Sequence, residues 1–287
     1  MPHRILIVTA VAAEADSVTA GLGLGGPESV PLPGGLVLRR HTGSRPSACV
    51  DVLVGGVGPA AVAASTATAL AYASLTGAGS DSATGTGSRT GSGSMTGGDS
   101  ATGTGSRTGA AGPGSGGPYD LIVSAGIAGG FPSHAPVGSV VVSASIVAAD
   151  LGAETPDGYL AVEELGFGRS AHPVPDALTS RIAAVLDAGG LPYTVGPVLT
   201  VSTVTGTAGR AAALAVRRPG AAAEAMEGFG VAEAAAAYGV PVVEIRAVSN
   251  AVGPRDRAAW RIGEALEALG QAFRLLGKTV FVELEPS

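Results

Sequence analysis

"EAMEGFGVAEAAAAYGVPVVEIRAVSN", residues 224–250, couples an Ala-rich stretch to a largely apolar run rich in β-branched residues, with Gly239 and Pro241 between them. The Ala-rich half reads as a helix and the second half as a buried strand, "PVVEIRAVSN", that ends in a polar pair, Ser249-Asn250. A carboxylate, Glu227, stands just before the helix. Helix and strand in alternation are the unit of an α/β domain.

The same alternation recurs outward. "RILIVTA" (4–10) is a strand-length apolar run, and residues 13–22 follow as a helix weakened by Gly21. "LVLRRHTG" and "ACVDVLVGG" read as strands, and "PAAVAASTATALAYASL" as a helix opened by Pro59. "YDLIVSAGIAGG" and "GSVVVSASIVAAD" (138–150) are strands; "DALTSRIAAVLDAGG" is a helix closed by glycine. Residues 192–207 supply one or two strands, and "AWRIGEALEALGQAFRLL" a closing amphipathic helix. The expected fold is a three-layer α/β/α domain around a central mixed, largely parallel sheet. In such folds ligands collect at the carboxyl ends of strands. Thr9, Gly56, Ser124 and Ser249-Asn250 all fall at such ends.

Residues 77–118 break the pattern. They are almost all Gly, Ser, Thr and Ala, with Met95 as the one large apolar side chain. "DSATGTGSRTG" at 81–91 recurs at 99–109. A segment with so little to bury is expected to be a disordered insert, and the repeat reads as replication slippage. The remaining ~245 residues suit one sizeable domain, so the expected organisation is a single domain over 1–287 with the insert inside it.

Composition narrows the function. A net charge of -6 disfavours nucleic acid as a partner. No apolar run reaches a membrane span and no signal peptide is present, so a cytoplasmic location is expected. One cysteine, Cys49, excludes an intrachain disulfide and reads as a small core residue. His3, His41, His134 and His172 share no metal-ligand spacing, so no metal or cofactor is expected. "GGVGPAAVAAS" (55–65) is a strand–glycine loop–helix unit without GxGxxG, since residue 61 is Ala. Its backbone N–H groups suit an anion, an uncharged polar ligand or a plain turn. "SAGIAGG" (124–130) is a second loop of small residues that lets a flat ligand approach the backbone at Ser124, Ala125 and Gly126. There is no GK[ST] loop and no GxSxG elbow.

Seven pieces in order, "ILIVTAVAAEADSV", "VGGVGPAAVAAS", "YDLIVSAGIAGGF", "VGSVVVSASIVAAD", "TVSTVTGT", the segment quoted first, and "VGPRDRAAW", resemble the nucleoside phosphorylase/nucleosidase family in its methylthioadenosine/S-adenosylhomocysteine nucleosidase branch. The resemblance implies a nucleoside phosphorylase-like fold, a small-molecule nucleoside substrate and a homo-oligomer, a dimer or larger. It implies that Glu14 orients and activates water. It implies that Glu227 grips the ribose hydroxyls beside Met226. The branch ends its late strand in Ser-Asp, whose aspartate protonates purine N7. Here the pair is Ser249-Asn250, and an amide cannot act as a general acid. A narrower group that carries Asn there and a following "VGPRDR" is the nearer match; it releases hypoxanthine by hydrolysis.

Asn250 donates one hydrogen bond and accepts another, which suits a 6-oxopurine. Ser249 reads as its orienter. Arg255 is the candidate for a substrate carboxylate, and Asp150 and Gly58 for the site edge. Each has a bland alternative. Glu14 reads also as an exposed helix carboxylate, Glu227 as a helix N-terminal charge, Asn250 as a turn residue, and Arg255 as a salt bridge to Asp256. The loops Thr9–Glu14 and Gly55–Gly58 hold no Arg or Lys for phosphate, which favours water as nucleophile. A broader purine nucleosidase or phosphorylase, and a nucleoside-binding protein without turnover, remain alternatives.

Overall fold

The structure, a computed structural model, describes residues 3–42, 48–78 and 118–281. The insert expected at 77–118 lies outside the described residues except at its ends.

Four strands form the centre of the sheet: β1 (His3–Thr9), β4 (Ala48–Val54), β5 (Leu121–Gly130) and β12 (Val242–Ala251). They run parallel in the order β4-β1-β5-β12. Each is buried on both faces, as the continuous apolar runs demand. A hairpin partner, β3 (Val37–Thr42), and then β2 (Glu28–Pro31) extend one side antiparallel. On the other side β6 (Val140–Ala148) pairs antiparallel with β12, and β10 (Tyr193–Thr200) parallel with β6. The sheet is mixed, with a parallel centre.

A three-residue strand, β11 (Ala223–Ala225), was not legible in the sequence; it pairs parallel with β10 and antiparallel with β5. Strands β5, β12, β6, β10 and β11 therefore close on themselves. The closure carries Glu224 to Gly129 and leaves Glu227 just beyond, near the carboxyl end of β5. "AEA" has no strand signal of its own; the pairing is set by its neighbours. Two smaller strands, β7 (Gly152–Thr155) and β8 (Gly158–Ala161), make a separate hairpin, and β9 (Ala171–Pro173) pairs β6.

Helices flank the sheet. They are α1 (Ala12–Leu22), α2 (Pro59–Ala78), α3 (Asp176–Ala188), α4 (Ala208–Arg217), α5 (Gly228–Ala237) and α6 (Ile262–Leu276). Helix α1 packs on α6, and α2 on α5. Gly21, which weakened α1 on propensity, has a packing reason. A Cβ there would stand 2.1 Å from the Gly270 carbonyl oxygen of α6. Helix α6 starts at Ile262; before it Arg257–Ala259 form a 3₁₀ turn, followed by an extended Trp260. Phe131 belongs to a core cluster with Val147, Leu199 and Val252. Cys49, expected in the core, is only half-buried at the second residue of β4. Among the described residues no helix is long and apolar enough to cross a membrane.

Candidate active site

Parallel register sets the floor of the site. Ser124 stands opposite Glu244, and Gly126 opposite Arg246. Side chains two apart share a face, so Ser124, Glu244 and Arg246 converge on one side, with Gly126 leaving a gap. Ala125 turns the other way, into the main core; only its backbone is available to a ligand.

Arg246 is the hub. It is 1% exposed. Its Nε donates to Glu244 Oε1 at 2.8 Å, and its Nη2 to Ser124 Oγ at 3.2 Å. Nη2 also lies 3.2 Å from Glu227 Oε2. Nη1 donates to the Ile127 carbonyl at 3.4 Å. Burial works against the charged guanidinium, but Glu244, Glu227 and Glu14 more than offset it and hold Arg246 above its ordinary pKa.

Glu14 comes from the first turn of α1 and is 4% exposed. It is not an exposed helix carboxylate. Oε2 accepts the Ala10 N–H at 2.9 Å and the Val11 N–H at 3.3 Å, and Oε1 accepts the Ile127 N–H at 2.9 Å. Gly126 makes this approach possible: a Cβ there would meet Glu14 Oε1 at 2.5 Å and Arg246 Nη1 at 2.6 Å. Glu14 and Arg246 thus face each other across a missing side chain.

Glu227 stands at the N-cap position of α5 but makes no cap hydrogen bond. Its Oε1 accepts the Gly58 N–H and its Oε2 the Met226 N–H, each at 3.2 Å. Gly58 precedes α2 and has φ +91°. The anion at this glycine loop is the chain's own carboxylate. Met226 is half-buried between β11 and α5.

Ser249 and Asn250 sit at a bulge where β12 loses register with β5. Ser249 Oγ donates to Asn250 Oδ1 at 2.8 Å, and Asn250 Nδ2 donates to the Ala251 carbonyl at 2.9 Å. The Ala251 carbonyl, which can only accept, fixes which way the amide faces, the Ser249 hydroxyl, also 3.2 Å from the Ala128 carbonyl, supports it, and Nδ2 keeps a second hydrogen to give. A Cβ on Gly129 would lie 3.2 Å from that nitrogen.

The loop after Asn250 folds back, since the Arg261 N–H donates to the Ser249 carbonyl. Inside it Arg255 and Arg257 both approach the Trp260 ring, at 5.2 and 5.8 Å from its centroid. The alternative reading, an Arg255–Asp256 pair, is not made among the described residues: Asp256 caps its own turn by accepting the Ala258 N–H. Asp150 is tied elsewhere, to the Ser202 N–H at 2.9 Å and to Arg210 at 3.7 Å. It joins the loop after β10, not the Glu14–Arg246–Glu227 group.

Sequence reasoning missed Arg246, Glu244 and Glu224. The signal was there for the first two: a charge inside a strand buried on both faces must find a partner. Glu224, in β11, accepts the Thr205 N–H and hydroxyl and so pins the loop after β10. Burial raises its pKa above the ordinary 4.5, outweighing the Thr205 hydrogen bonds. An acid whose folded pKa is raised contributes stability that is complete below its unfolded pKa and is lost as pH rises toward the folded value. Glu224→Gln should therefore gain on the wild type as pH climbs above 4.5. Melting temperatures of both across that range check it; a constant difference would refute it.

The sequence profile of the Phosphorylase superfamily matches residues 4–281. Futalosine hydrolase of Streptomyces coelicolor is 51% identical over 94% of this chain and 93% of its own length. Futalosine hydrolase of Acidothermus cellulolyticus is 40% identical over 96% and 91%. A Helicobacter pylori MTAN variant, solved with 5'-methylthioadenosine in its active site, superposes with a TM-score of 0.69 at 16% identity, over 98% of this chain and 99% of that one. The chain belongs to the phosphorylase superfamily, in the futalosine hydrolase branch of it.

Proposed function

We propose that the protein hydrolyses the N-glycosidic bond of futalosine, releasing hypoxanthine and dehypoxanthinyl futalosine in menaquinone biosynthesis. One observation carries the reading: β12 ends in an amide held by the Ala251 carbonyl and Ser249, where the related nucleosidases resembled above carry an acid. The identity with the two futalosine hydrolases supports it.

As the C1'–N9 bond breaks, its electron pair leaves with the base and the ribose becomes cationic. Glu227 accepts hydrogen bonds from the ribose hydroxyls and stabilises that cation. Water adds at C1', and Glu14 takes its proton. Asn250 Nδ2 donates to the departing base, whose own proton comes from solvent. Ser124 acts from beneath, through Arg246. Gly126 and Gly58 contribute space and an N–H. No cofactor or metal enters these steps. The homo-oligomeric assembly and cytoplasmic location belong to the same proposal.

The test is a chromatographic assay of futalosine, aminodeoxyfutalosine, methylthioadenosine and inosine, with and without phosphate. Phosphate-independent hypoxanthine release from futalosine alone is expected. Adenine release from methylthioadenosine would overturn the substrate, and silence on all four would favour binding without turnover.

Arg255 and Arg257 have no carboxylate partner among the described residues. Stacked on Trp260 they suit a planar carboxylate such as the benzoate of futalosine. Arg255→Ala should raise KM for futalosine about tenfold and alter inosine cleavage by less than about twofold. Equal losses on both would remove Arg255 from that role.

A further inference from the structure

Glu244 takes no part in the chemistry above, yet it occupies the third position of β12 with no solvent exposure. Oε1 accepts from Arg246 Nε, while Oε2 has no hydrogen-bond partner among the described residues. That oxygen lies against α5, 1.9 Å from where a Cβ on Gly228 would stand. Burial drives the Glu244 carboxyl upward, the Arg246 charge opposes this, and Glu227 adds to the rise. An apolar residue in this place would avoid the cost of burying a half-paired carboxyl.

Arg246 explains its presence. A guanidinium is a rigid planar fork, so one hydrogen bond at Nε fixes the plane and aims both Nη groups. With Nε held, Nη2 meets Glu227 and Ser124, and Nη1 donates to the Ile127 carbonyl and faces Glu14 across the gap left by Gly126. Without it, the fork is free to rotate toward either carboxylate and leave the other.

We propose that Glu244 is a positioning residue for nucleoside cleavage: by holding the Arg246 fork it sets the ribose-gripping carboxylate, Glu227, and the water-handling carboxylate, Glu14, in register with each other. The inference rests on the nucleosidase reading, but not on which purine nucleoside is cleaved. What Arg246 takes from Glu244 is a hydrogen-bond acceptor at the right reach. An uncharged side chain of the same length keeps that acceptor in place, with a weaker bond.

The experiment compares kcat and melting temperature for wild type, Glu244→Gln and Glu244→Asp on the nucleoside the wild type cleaves. Gln keeps an acceptor at the same reach; Asp keeps the charge and withdraws it by one methylene. The Gln variant should stay within about threefold of wild-type kcat, and the Asp variant should fall about thirtyfold or more while still folded. A merely structural role would cost the same in any background, so the pair is repeated with Arg246→Lys, which has no Nε fork to aim. There, adding Glu244→Asp should cost less than about threefold. A Gln loss as large as the Asp loss, an Asp variant with wild-type turnover, or the full Asp cost on the lysine background would each overturn the proposal. Should the Asp variant not fold, a Gln loss beyond about tenfold overturns it and near-wild-type Gln turnover supports it. Absence of cleavage by the wild type would instead strike the functional reading, and this inference with it.

Discussion

Glu14→Gln should lose about a thousandfold in kcat while keeping its affinity for a purine nucleoside within a few-fold. Both carboxylate oxygens are engaged, Oε2 by Ala10 and Val11 and Oε1 by Ile127, and every one of these partners donates. An amide offers one acceptor and one donor group. Whichever way the substituted side chain turns, its NH2 faces a backbone N–H, and it can no longer take a proton from water. The loss should appear in single-turnover base release, with ligand affinity measured separately by calorimetry. Retention of more than about a tenth of wild-type kcat would remove Glu14 from the water step.

Arg246→Met should destabilise the fold by about 3–5 kcal/mol, the usual cost of removing one partner from a buried charge cluster. Methionine roughly preserves the length of the side chain and removes the charge. Glu14, Glu227 and Glu244 are then left together without a cation. Burial already drives the Glu244 carboxyl upward and the Arg246 charge opposes this, so losing that charge raises it further. By linkage its deficit should be smallest near about pH 5 and grow toward about pH 8, because a raised folded pKa gives stability at low pH that is lost as pH rises. Urea unfolding at the two pH values is the measurement. The same deficit at both would mean that Arg246 contributes packing and not charge balance.

These effects fall unevenly on what the sequence showed. Glu14, Glu227 and Asn250 were singled out because the motifs around them resemble the nucleosidases, and Glu227 and Asn250 also because they stand at a helix start and a strand end. The parallel centre was legible from runs apolar on both faces. Arg246 and Glu244 were passed over because "VVEIRAV" was read as one apolar strand, with its two charges left unassigned; burial made them partners. The closure through β11 was invisible: three residues, Ala-Glu-Ala, carry no local preference for it. The Gly58 loop was left open between a ligand's anion, an uncharged polar ligand and a plain turn, and only the tertiary fold could bring Glu227 there from 169 residues away. Short-range pattern locates element ends; long-range partners depend on closure.

The length and direction of α2 have a consequence for the gene. Its first turn lies beside Gly58 and the Glu227 carboxylate, and its 20 residues carry the chain about 30 Å before it ends at Ala78. The chain re-enters at the start of β5, where Leu121 stands beside Ile5, again at the far end of the parallel strands. A change in the number of residues coded between those two points leaves both anchoring ends, the end of α2 and the start of β5, where they are. The tandem "DSATGTGSRTG" copies fall in that interval of the sequence, so the locus can drift in length while the strands on either side stay fixed.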